Sequence, residues 1–217
     1  MIELVNVLKF YKTRGSVKLV LDGVSASFRA GCSYAILGIN GAGKSTTMRL
    51  LAGTEMPNSG YIRRKARVSW PLGFAGGLHP EMTGRENVQF VARIYGYSPA
   101  SVVDFVEDFA EIGAYIDEPY KTYSSGMAQR LAFGLSMAID FECYLIDEVM
   151  AVGDGRFQAR CLEEFDKRRA RSDLIMISHN MDVVRQYCRR AIVLAHGAFH
   201  EFSNIDDAIE LYNRLNR

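Results

Sequence analysis

The residues best suited to chemistry form a glycine-rich run at positions 38–46. This run, Gly-Ile-Asn-Gly-Ala-Gly-Lys-Ser-Thr, fits the pattern G-x-x-x-x-G-K-[S/T] of a phosphate-binding loop, or P-loop. In such a loop, backbone N–H groups and the N-terminus of the following helix surround phosphate oxygens. A glycine-rich turn without a ligand is the alternative, but a strand expected at 33–37 and a helix expected at 45–52 favour the P-loop. We predict that these residues contact a nucleotide: Gly38, Asn40, Gly41, Ala42, Gly43, Lys44, Ser45 and Thr46.

Two adjacent carboxylates form a second candidate site. Asp147 and Glu148 follow the apolar segment 141–146, which has the composition of a buried strand. Acids at the carboxyl end of such a strand lie where open α/β sheets place ligands. We predict that Asp147 and Ser45 bind Mg²⁺ and that Glu148 accepts a proton from an attacking water. The alternative, a strand that only enters a polar turn, is weakened by the P-loop elsewhere in the chain.

His179 follows a further apolar strand, at 174–177. A histidine at a strand end is usually structural. Beside a phosphate site, however, its imidazole could donate a hydrogen bond to the γ-phosphate and stabilise charge that develops in the transition state. We therefore count His179 as catalytic, together with Glu148 and Lys44.

The rest of the pattern indicates one α/β domain with a helical insertion. An apolar stripe at helical spacing within 102–112 lies in a segment of helical character between 83 and 139. We expect a core at about 1–79 and 139–217 and a helical subdomain at about 80–138. Strands are expected at 2–8, 18–29, 33–37, 143–146, 174–177 and 191–194, a strand or hairpin at 61–70, and an amphipathic helix at 206–215.

Composition excludes several classes of protein. The 217 residues are 48% hydrophobic and 24% charged with a net charge of +1, which gives no reason to expect nucleic acid as the main partner. The basic clusters at 63–67 and 167–171 are read as solvated faces, with anionic lipid or a membrane partner left open. Four dispersed cysteines argue against a zinc site or disulfide framework, and fit a reducing cytoplasm. The start lacks a signal-peptide pattern, and no run approaches the roughly 18 apolar residues of a membrane span.

The segment 123–132, Tyr-Ser-Ser-Gly-Met-Ala-Gln-Arg-Leu-Ala, resembles the signature sequence of ABC-type ATPases, usually Leu-Ser-Gly-Gly-Gln. Here Tyr123, Ser125 and Met127 depart from that pattern. The order of P-loop, signature, Asp-Glu strand and strand with histidine also matches the family and covers nearly the whole chain. The segment 151–154, Ala-Val-Gly-Asp, is similar to the family's D-loop, and Tyr11 stands where the family places an aromatic residue on adenine.

The resemblance implies a P-loop NTPase core of ABC-ATPase type, with ATP and Mg²⁺ as cofactors. It also implies that two copies of the chain share each nucleotide, because the signature of one copy binds the γ-phosphate held by the other. Ser124 would supply a hydroxyl and Gly126 a backbone amide. Ser125, within the signature, and Asp154 are further expected contacts to the nucleotide.

One departure concerns the glutamine that the family usually carries between the core and the helical lobe. No glutamine occurs between Ser45 and Val88, and the segment 70–80 occupies that place. No residue is therefore assigned that role. The loop from Trp70 to Glu86, with Trp70 and Phe74, is predicted as the groove that receives membrane subunits.

The chain most resembles the bacterial ATPases that export capsular polysaccharide, through segments 69–72, 82–87, 123–127, 130–140 and 144–154. This implies a peripheral protein at the cytoplasmic face of the inner membrane, with permease subunits as separate chains and cargo contacted mainly by those partners. Exporters of O-antigen or teichoic acid, and an ATPase that acts as a switch without transport, remain the alternatives.

Overall fold

The computed structural model describes residues 2–72, 77–147 and 154–216. The chain divides into two compact units, which we call the core unit and the helical unit. The core unit comprises Met1–Pro71, Phe141–Glu148 and Ser172–Arg217, and the helical unit comprises Leu72–Asp140 and Val149–Arg171. The segment after the Asp-Glu strand thus belongs to the helical unit, whereas the sequence analysis counted it in the core.

The core unit is built on a six-stranded sheet with the strand order β5-β6-β7-β3-β8-β9. Neighbouring strands are parallel except β8 and β9, which pair antiparallel. The central strands are short apolar runs buried along nearly their whole length, as expected where both faces of a parallel sheet are covered. The strands are β3 (Tyr34–Leu37), β5 (Val68–Pro71), β6 (Cys143–Asp147), β7 (Asp173–Ile177), β8 (Arg190–Ala195) and β9 (Ala198–Phe202).

A second sheet of the core unit is antiparallel, with the order β2-β1-β4. It contains β1 (Ile2–Thr13), β2 (Ser16–Phe28) and β4 (Ser59–Arg64). The segment 61–70, predicted as a strand or hairpin, contains the end of β4 and most of β5; the hairpin alternative is wrong, because these two strands belong to different sheets. Arg64 donates to the carbonyls of Leu50 and Leu51. The buried Ser69 accepts a hydrogen bond from the backbone of Leu145, in β6.

Three helices complete the core unit: α1 (Lys44–Ala52), α6 (Met181–Tyr187) and α7 (Ile205–Leu215). The predicted C-terminal helix is confirmed as α7. The sequence analysis missed α6 and β9. Helix α6 is only two turns long, and the side chain of Asn180 caps it by accepting from two backbone N–H groups. Strand β9 is an antiparallel edge strand without a fully buried residue, so it lacks the apolar run that marks the inner strands.

The helical unit contains α2 (Gly84–Ile94), α3 (Pro99–Ala110), α4 (Ser125–Ala138) and α5 (Gly155–Arg169), with 3-10 turns at Gly113–Asp117 and Tyr120–Thr122. The predicted apolar stripe is confirmed as the buried face of α3. Phe109 in α3 lies 6.0 Å from the ring of Phe133 in α4 and 5.5 Å from that of Phe157 in α5, measured between centroids. Aromatic packing therefore joins three helices. No helix among the described residues is long and apolar enough to cross a membrane.

Asn87 organises the loop that precedes α2. Its side chain is 2% exposed, accepts from the backbone of His79, and donates to the carbonyls of His79, Met82 and Thr83. Thr83 and Glu86 form a capping box at the start of α2. A single buried amide and a helix cap thus fix this loop.

A network of ions and hydroxyls joins β1 to the segment after α1. Glu55 accepts from Lys9 at 2.7 Å, from the Tyr11 hydroxyl at 2.5 Å and from Arg49 at 2.9 Å. Burial raises the pKa of the Glu55 carboxyl, but the hydrogen bonds from Lys9, Tyr11 and Arg49 outweigh it and bring the pKa to about 2. The carboxylate is therefore ionised throughout the ordinary pH range and stabilises the folded state.

We expect Glu55→Gln to lower the free energy of unfolding by about 2 kcal/mol at pH 7, because three donors lose their charged acceptor. Since the folded-state pKa lies below the ordinary 4.5, the stabilisation is complete above pH 4.5 and is lost as pH falls towards 2. Urea unfolding of both proteins between pH 7 and pH 3 should show the difference shrinking. Glu3→Gln, which breaks an exposed ion pair between Glu3 on β1 and Arg63 on β4, is the control and should change little. A loss of unfolding free energy in Glu55→Gln that stays constant with pH would contradict the stabilising role of the ionised Glu55 carboxylate.

We expect Gly84→Ala to destabilise the protein by about 2 kcal/mol through overpacking. A Cβ at this position would lie 2.1 Å from the Tyr123 hydroxyl, which donates to the carbonyl of Tyr115. Chemical denaturation should show that adding Tyr123→Phe restores part of the loss, because the clashing oxygen is removed. Gly77→Ala is the matched control, since a Cβ there has no heavy atom within 4 Å. Equal stability of the Gly84 and Gly77 variants would contradict the clash.

Candidate functional site

The candidate site of the core unit lies at the carboxyl ends of β6, β7 and β3, which are consecutive in the sheet. Asp147 ends β6, His179 follows β7 and the P-loop follows β3. Parallel strands end at one edge of a sheet, so three distant segments meet there. The residues line a cavity of about 290 Å³, which we call the phosphate cavity. Its lining residues are Tyr11, Lys18, Val20, Asn40, Gly41, Gly43, Lys44, Ser45, Thr46, Asp147, Ile177 and His179.

The glycines of the P-loop are required by space as well as by conformation. Gly43 has a φ of 110°, and a Cβ there would lie 2.3 Å from Val20 Cγ1. At Gly38 a Cβ would lie 2.6 Å from the carbonyl oxygen of Leu194 in β8. A side chain at either position would push the loop away from the sheet, so only glycine allows this close approach.

The N-terminus of α1 is open to a ligand. The helix begins at Lys44, and its N-cap is Gly43, which has no side chain to accept from the first N–H groups. Lys44 donates to the carbonyls of Gly38 and Ile39 at 2.6 Å and 3.2 Å. The helix therefore brings its first N–H groups and an ammonium group to one place, which suits an anion.

Of the remaining predicted loop residues, Asn40, Gly41, Ser45 and Thr46 line the phosphate cavity, and their contact with a nucleotide stays a prediction. Ala42 instead lines a neighbouring cavity of the core unit, with Ile39 and Leu215 among others.

Asp147 brings a carboxylate to the wall that also contains Ser45. One carboxylate with a hydroxyl suits Mg²⁺, which is commonly held by one or two carboxylates together with phosphate oxygens and water. No cluster of three or more His, Cys, Asp or Glu side chains occurs within the described ranges, so the donor set does not resemble a closed metal cage. Glu148, the predicted base, lies outside the described residues, and its role stays a prediction.

His179 lines the same cavity. Its Nδ1 lies 3.1 Å from the hydroxyl of Tyr212, on α7. The preceding Ser178 accepts from the backbone N–H of Asn180, which in turn caps α6. The imidazole therefore sits on a turn fixed at both ends.

Tyr11 lines the cavity from β1, where it is paired with Lys18 of β2. Its hydroxyl belongs to the Glu55 network and lies 3.4 Å from Thr46 Oγ1, which also accepts from Arg49 at 3.1 Å. Tyr11 is thus anchored to the P-loop helix through its polar end. Stacking of its ring on adenine stays a prediction.

The signature residues lie in the helical unit. Ser124 is the N-cap of α4 and accepts from the backbone N–H of Met127 at 3.2 Å, with Ser125 and Gly126 in the first turn. The segment is thus a capped helix N-terminus. Burial raises the pKa of Tyr123 to about 12. Its hydroxyl, which the leucine usual at this position lacks, donates to the carbonyl of Tyr115 within the helical unit.

Asp154 caps α5, accepting from the N–H groups of Arg156 and Phe157 at 3.0 Å each. It also pairs with Arg130 of α4 at 2.9 Å, and the Arg130 guanidinium lies over the Phe157 ring. The hydrogen bond from Phe157 has the largest effect and lowers the pKa of Asp154; burial opposes it, and the charge of Arg130 adds to the lowering, so the pKa lies below its usual value. The carboxylate therefore has structural partners, and contact with a nucleotide stays a prediction. The other residues of the D-loop-like segment, 151–153, lie outside the described residues.

The predicted groove for membrane subunits is described only in part. Trp70 lies in β5, half-buried, with its ring centroid 5.2 Å from that of Phe141. Phe74 lies outside the described residues, as do 73–76 of the segment that stands in place of the family's glutamine. The role of this segment stays a prediction.

Sequence reasoning missed four residues around the cavity: Lys18, Val20, Ile177 and Tyr212. Lys18 could have been found from the β1–β2 pairing, since it stands opposite Tyr11 across a tight hairpin. Tyr212 gave no signal, because one tyrosine in an amphipathic helix looks like any half-buried aromatic residue. Lys18 adds a second ammonium group to a cavity that already contains Lys44.

Comparison with known proteins gives relatives over the full length. ATP-binding protein BexA of Haemophilus influenzae is 45% identical and covers 100% of both chains. The capsule polysaccharide export ATP-binding protein CtrD of Neisseria meningitidis is 47% identical over 99% of this chain and 100% of its own. The polysialic acid transport ATP-binding protein KpsT of Escherichia coli is 46% identical over 99% of each. An O-antigen export ATP-binding protein of Klebsiella pneumoniae is 37% identical, with 85% of its length covered. A teichoic acids export ATP-binding protein of Bacillus anthracis is 32% identical, with 38% of its length covered.

Solved structures support the same fold. A dimeric ATP-binding cassette in a post-hydrolysis state, bound to ADP and Pi, has a TM-score of 0.74 at 20% identity, over 93% of this chain and 98% of its own. An ATP-binding subunit of an ABC transporter has a TM-score of 0.75 at 21% identity over the full length of both. The predicted fold class, a P-loop NTPase core of ABC-ATPase type, is confirmed. A model of the ABC transporter family matches residues 21–151, and the chain therefore belongs to the ATP-binding cassettes of ABC transporters.

Proposed function

We propose that this chain is the ATP-hydrolysing subunit that powers export of a polysaccharide, of capsular type, through separate membrane subunits. The observation that carries the proposal is the likeness of 45–47% over essentially the whole chain to export and transport ATP-binding proteins, two of them named for capsule polysaccharide and polysialic acid. The phosphate cavity supports the enzymatic half of the proposal, because it brings together the P-loop, an acid and a histidine.

The chain's own residues fit a magnesium-bound nucleotide. A Cβ at Gly43 would strike Val20, so the loop is shaped for close approach of its backbone to a ligand. The N–H groups at the start of α1 and the ammonium of Lys44 would hold the outer phosphates, and Ser45 with Asp147 would hold the metal. Mg²⁺, when bound, would withdraw charge from the phosphate oxygens.

Two further side chains are assigned to the chemical step. Glu148 would accept a proton from the attacking water, and His179 would donate a hydrogen bond to the γ-phosphate. Tyr11 would form the wall against adenine, since its position is fixed by Glu55 at one end of the cavity.

We infer that two copies work as a pair. The helix N-terminus at Ser124, with Gly126, would bind the γ-phosphate held by a second copy. The solved neighbours of this fold include dimeric cassettes. The pair would act at the cytoplasmic face of a bacterial inner membrane, where closure and reopening drive the membrane subunits and can limit turnover.

Relatives that export O-antigen or teichoic acid are the nearest alternatives. They are 37% and 32% identical, and the latter is covered over only 38% of its length. The relative named for capsule polysaccharide export is 47% identical and is covered over 100% of its length. This difference favours the capsular cargo. An ATPase that acts as a switch without transport would use the same cavity, and only a cellular measurement separates it from an exporter.

We expect Glu148→Gln to lower ATP turnover about a hundredfold or more while ATP binding is kept, since only the general base is removed. Lys44→Ala should instead weaken ATP binding itself. Phosphate release and nucleotide affinity of the purified proteins check both. Glu163→Gln, an exposed glutamate on α5, is the matched control and should behave as wild type. Unchanged turnover in Glu148→Gln would remove Glu148 from the role of base.

In cells whose only copy carries Glu148→Gln, we expect polysaccharide to accumulate inside while the surface stays bare. Quantifying surface and internal glycan against wild type and Glu163→Gln checks this. A normal surface coat combined with slow ATP turnover would contradict the export function and favour the switch.

A further inference from the structure

The contact between His179 and helix α7 has no role in the proposed function as described so far. His179 lies between β7 and α6 and lines the phosphate cavity. Its Nδ1 lies 3.1 Å from the hydroxyl of Tyr212, thirty-three residues further along the chain. A residue of α7 thus reaches the side chain that the proposed mechanism places at the γ-phosphate.

The position of Tyr212 is determined by the packing of α7. Ala208 and Ile209 are buried, which anchors the apolar face of the helix. Arg185 of α6 pairs with Asp206 at 2.9 Å. Because Tyr212 follows Ala208 by four residues and Ile209 by three, its side chain leaves the helix on the anchored side. The hydroxyl is therefore held in place by the fold.

The direction of this hydrogen bond and the position of the proton on the His179 imidazole depend on each other. In a neutral imidazole one nitrogen donates and the other accepts. If the Tyr212 hydroxyl donates to Nδ1, the proton of the imidazole resides on Nε2. Only a protonated Nε2 can donate to a phosphate oxygen, because an unprotonated Nε2 would present a lone pair to an anion.

We propose that Tyr212 is a positioning residue, whose hydroxyl donates to Nδ1 of His179 and so keeps Nε2 protonated for the phosphate. The proposal rests on the role given above to His179. Tyr212 touches neither nucleotide nor water in this scheme. It acts through the imidazole, as partners of histidine ligands do when they fix its tautomer.

The direct test is the nitrogen NMR spectrum of the four histidines in ¹⁵N-histidine-labelled protein, with His179→Gln used to assign the resonances. In the wild type we expect the shifts of a neutral His179 with the proton on Nε2. In Tyr212→Phe we expect both shifts to move towards the average of the two tautomers. A wild-type His179 with its proton on Nδ1, or with both nitrogens protonated, would overturn the proposal, and so would identical shifts in the variant.

Kinetics give the second readout. Removing one hydrogen bond of this kind should lower kcat of Tyr212→Phe about three- to tenfold with little change in KM for ATP. Tyr61→Phe, an exposed tyrosine on β4, is the matched control and should leave both unchanged. A Tyr212→Phe protein with a normal tautomer but reduced activity would show a merely structural role and overturn the proposal.

A catalytic role of His179 and a positioning role of Tyr212 can be contradicted separately. If His179→Gln retains full turnover, the catalytic role of His179 is lost and the kinetic prediction for Tyr212 falls with it. If His179→Gln is impaired while Tyr212→Phe keeps both the wild-type shifts and the wild-type kcat, only the positioning role of Tyr212 is overturned.

Discussion

The structure depends above all on the burial of β6, β7 and β3 side by side. Each is a short apolar strand with little polar surface, so each must be covered on both faces and can only pair with another buried strand. Parallel pairing then puts their carboxyl ends at one edge. The polar residues that follow each strand are brought together for that reason, although the P-loop ends 101 positions before Asp147 and His179 follows Asp147 by 32. The polar residues that line the cavity are thus determined by the positions at which these apolar strands end.

The sequence predicted this arrangement well because its signals are local. The P-loop pattern, the Asp-Glu pair and His179 each follow an apolar run, and a run that ends in a polar residue is visible without knowledge of the fold. The error at 61–70 has the opposite cause. Whether two neighbouring strands form a hairpin or join different sheets depends on partners elsewhere, here β1 for β4 and β6 for β5. Tyr212 escaped notice for the same reason, since it reaches the cavity only through its contact with the distant His179.

The helical unit shows how a departure from the family pattern can be accommodated. Tyr123 replaces an apolar residue, yet its hydroxyl has a partner in the carbonyl of Tyr115, and Gly84 leaves the space that the larger side chain needs. The D-loop carboxylate of Asp154 is similarly satisfied by the α5 N-terminus and by Arg130. The Tyr123 substitution and the contacts of Asp154 all lie within the helical unit, so α4 is stabilised by residues of that same unit.

The Glu55 network has a consequence for the nucleotide as a whole. Through one carboxylate, Tyr11 is tied to Arg49 of α1, the helix whose first turn would face the phosphates. Tyr11, which we propose as the wall against adenine, and the helix that we propose to hold the phosphates are therefore joined through one half-buried carboxylate. The distance between these two proposed contacts is thus determined by the protein before a ligand arrives. The proposed roles imply a preference for a ligand whose aromatic ring and phosphates are separated by that distance.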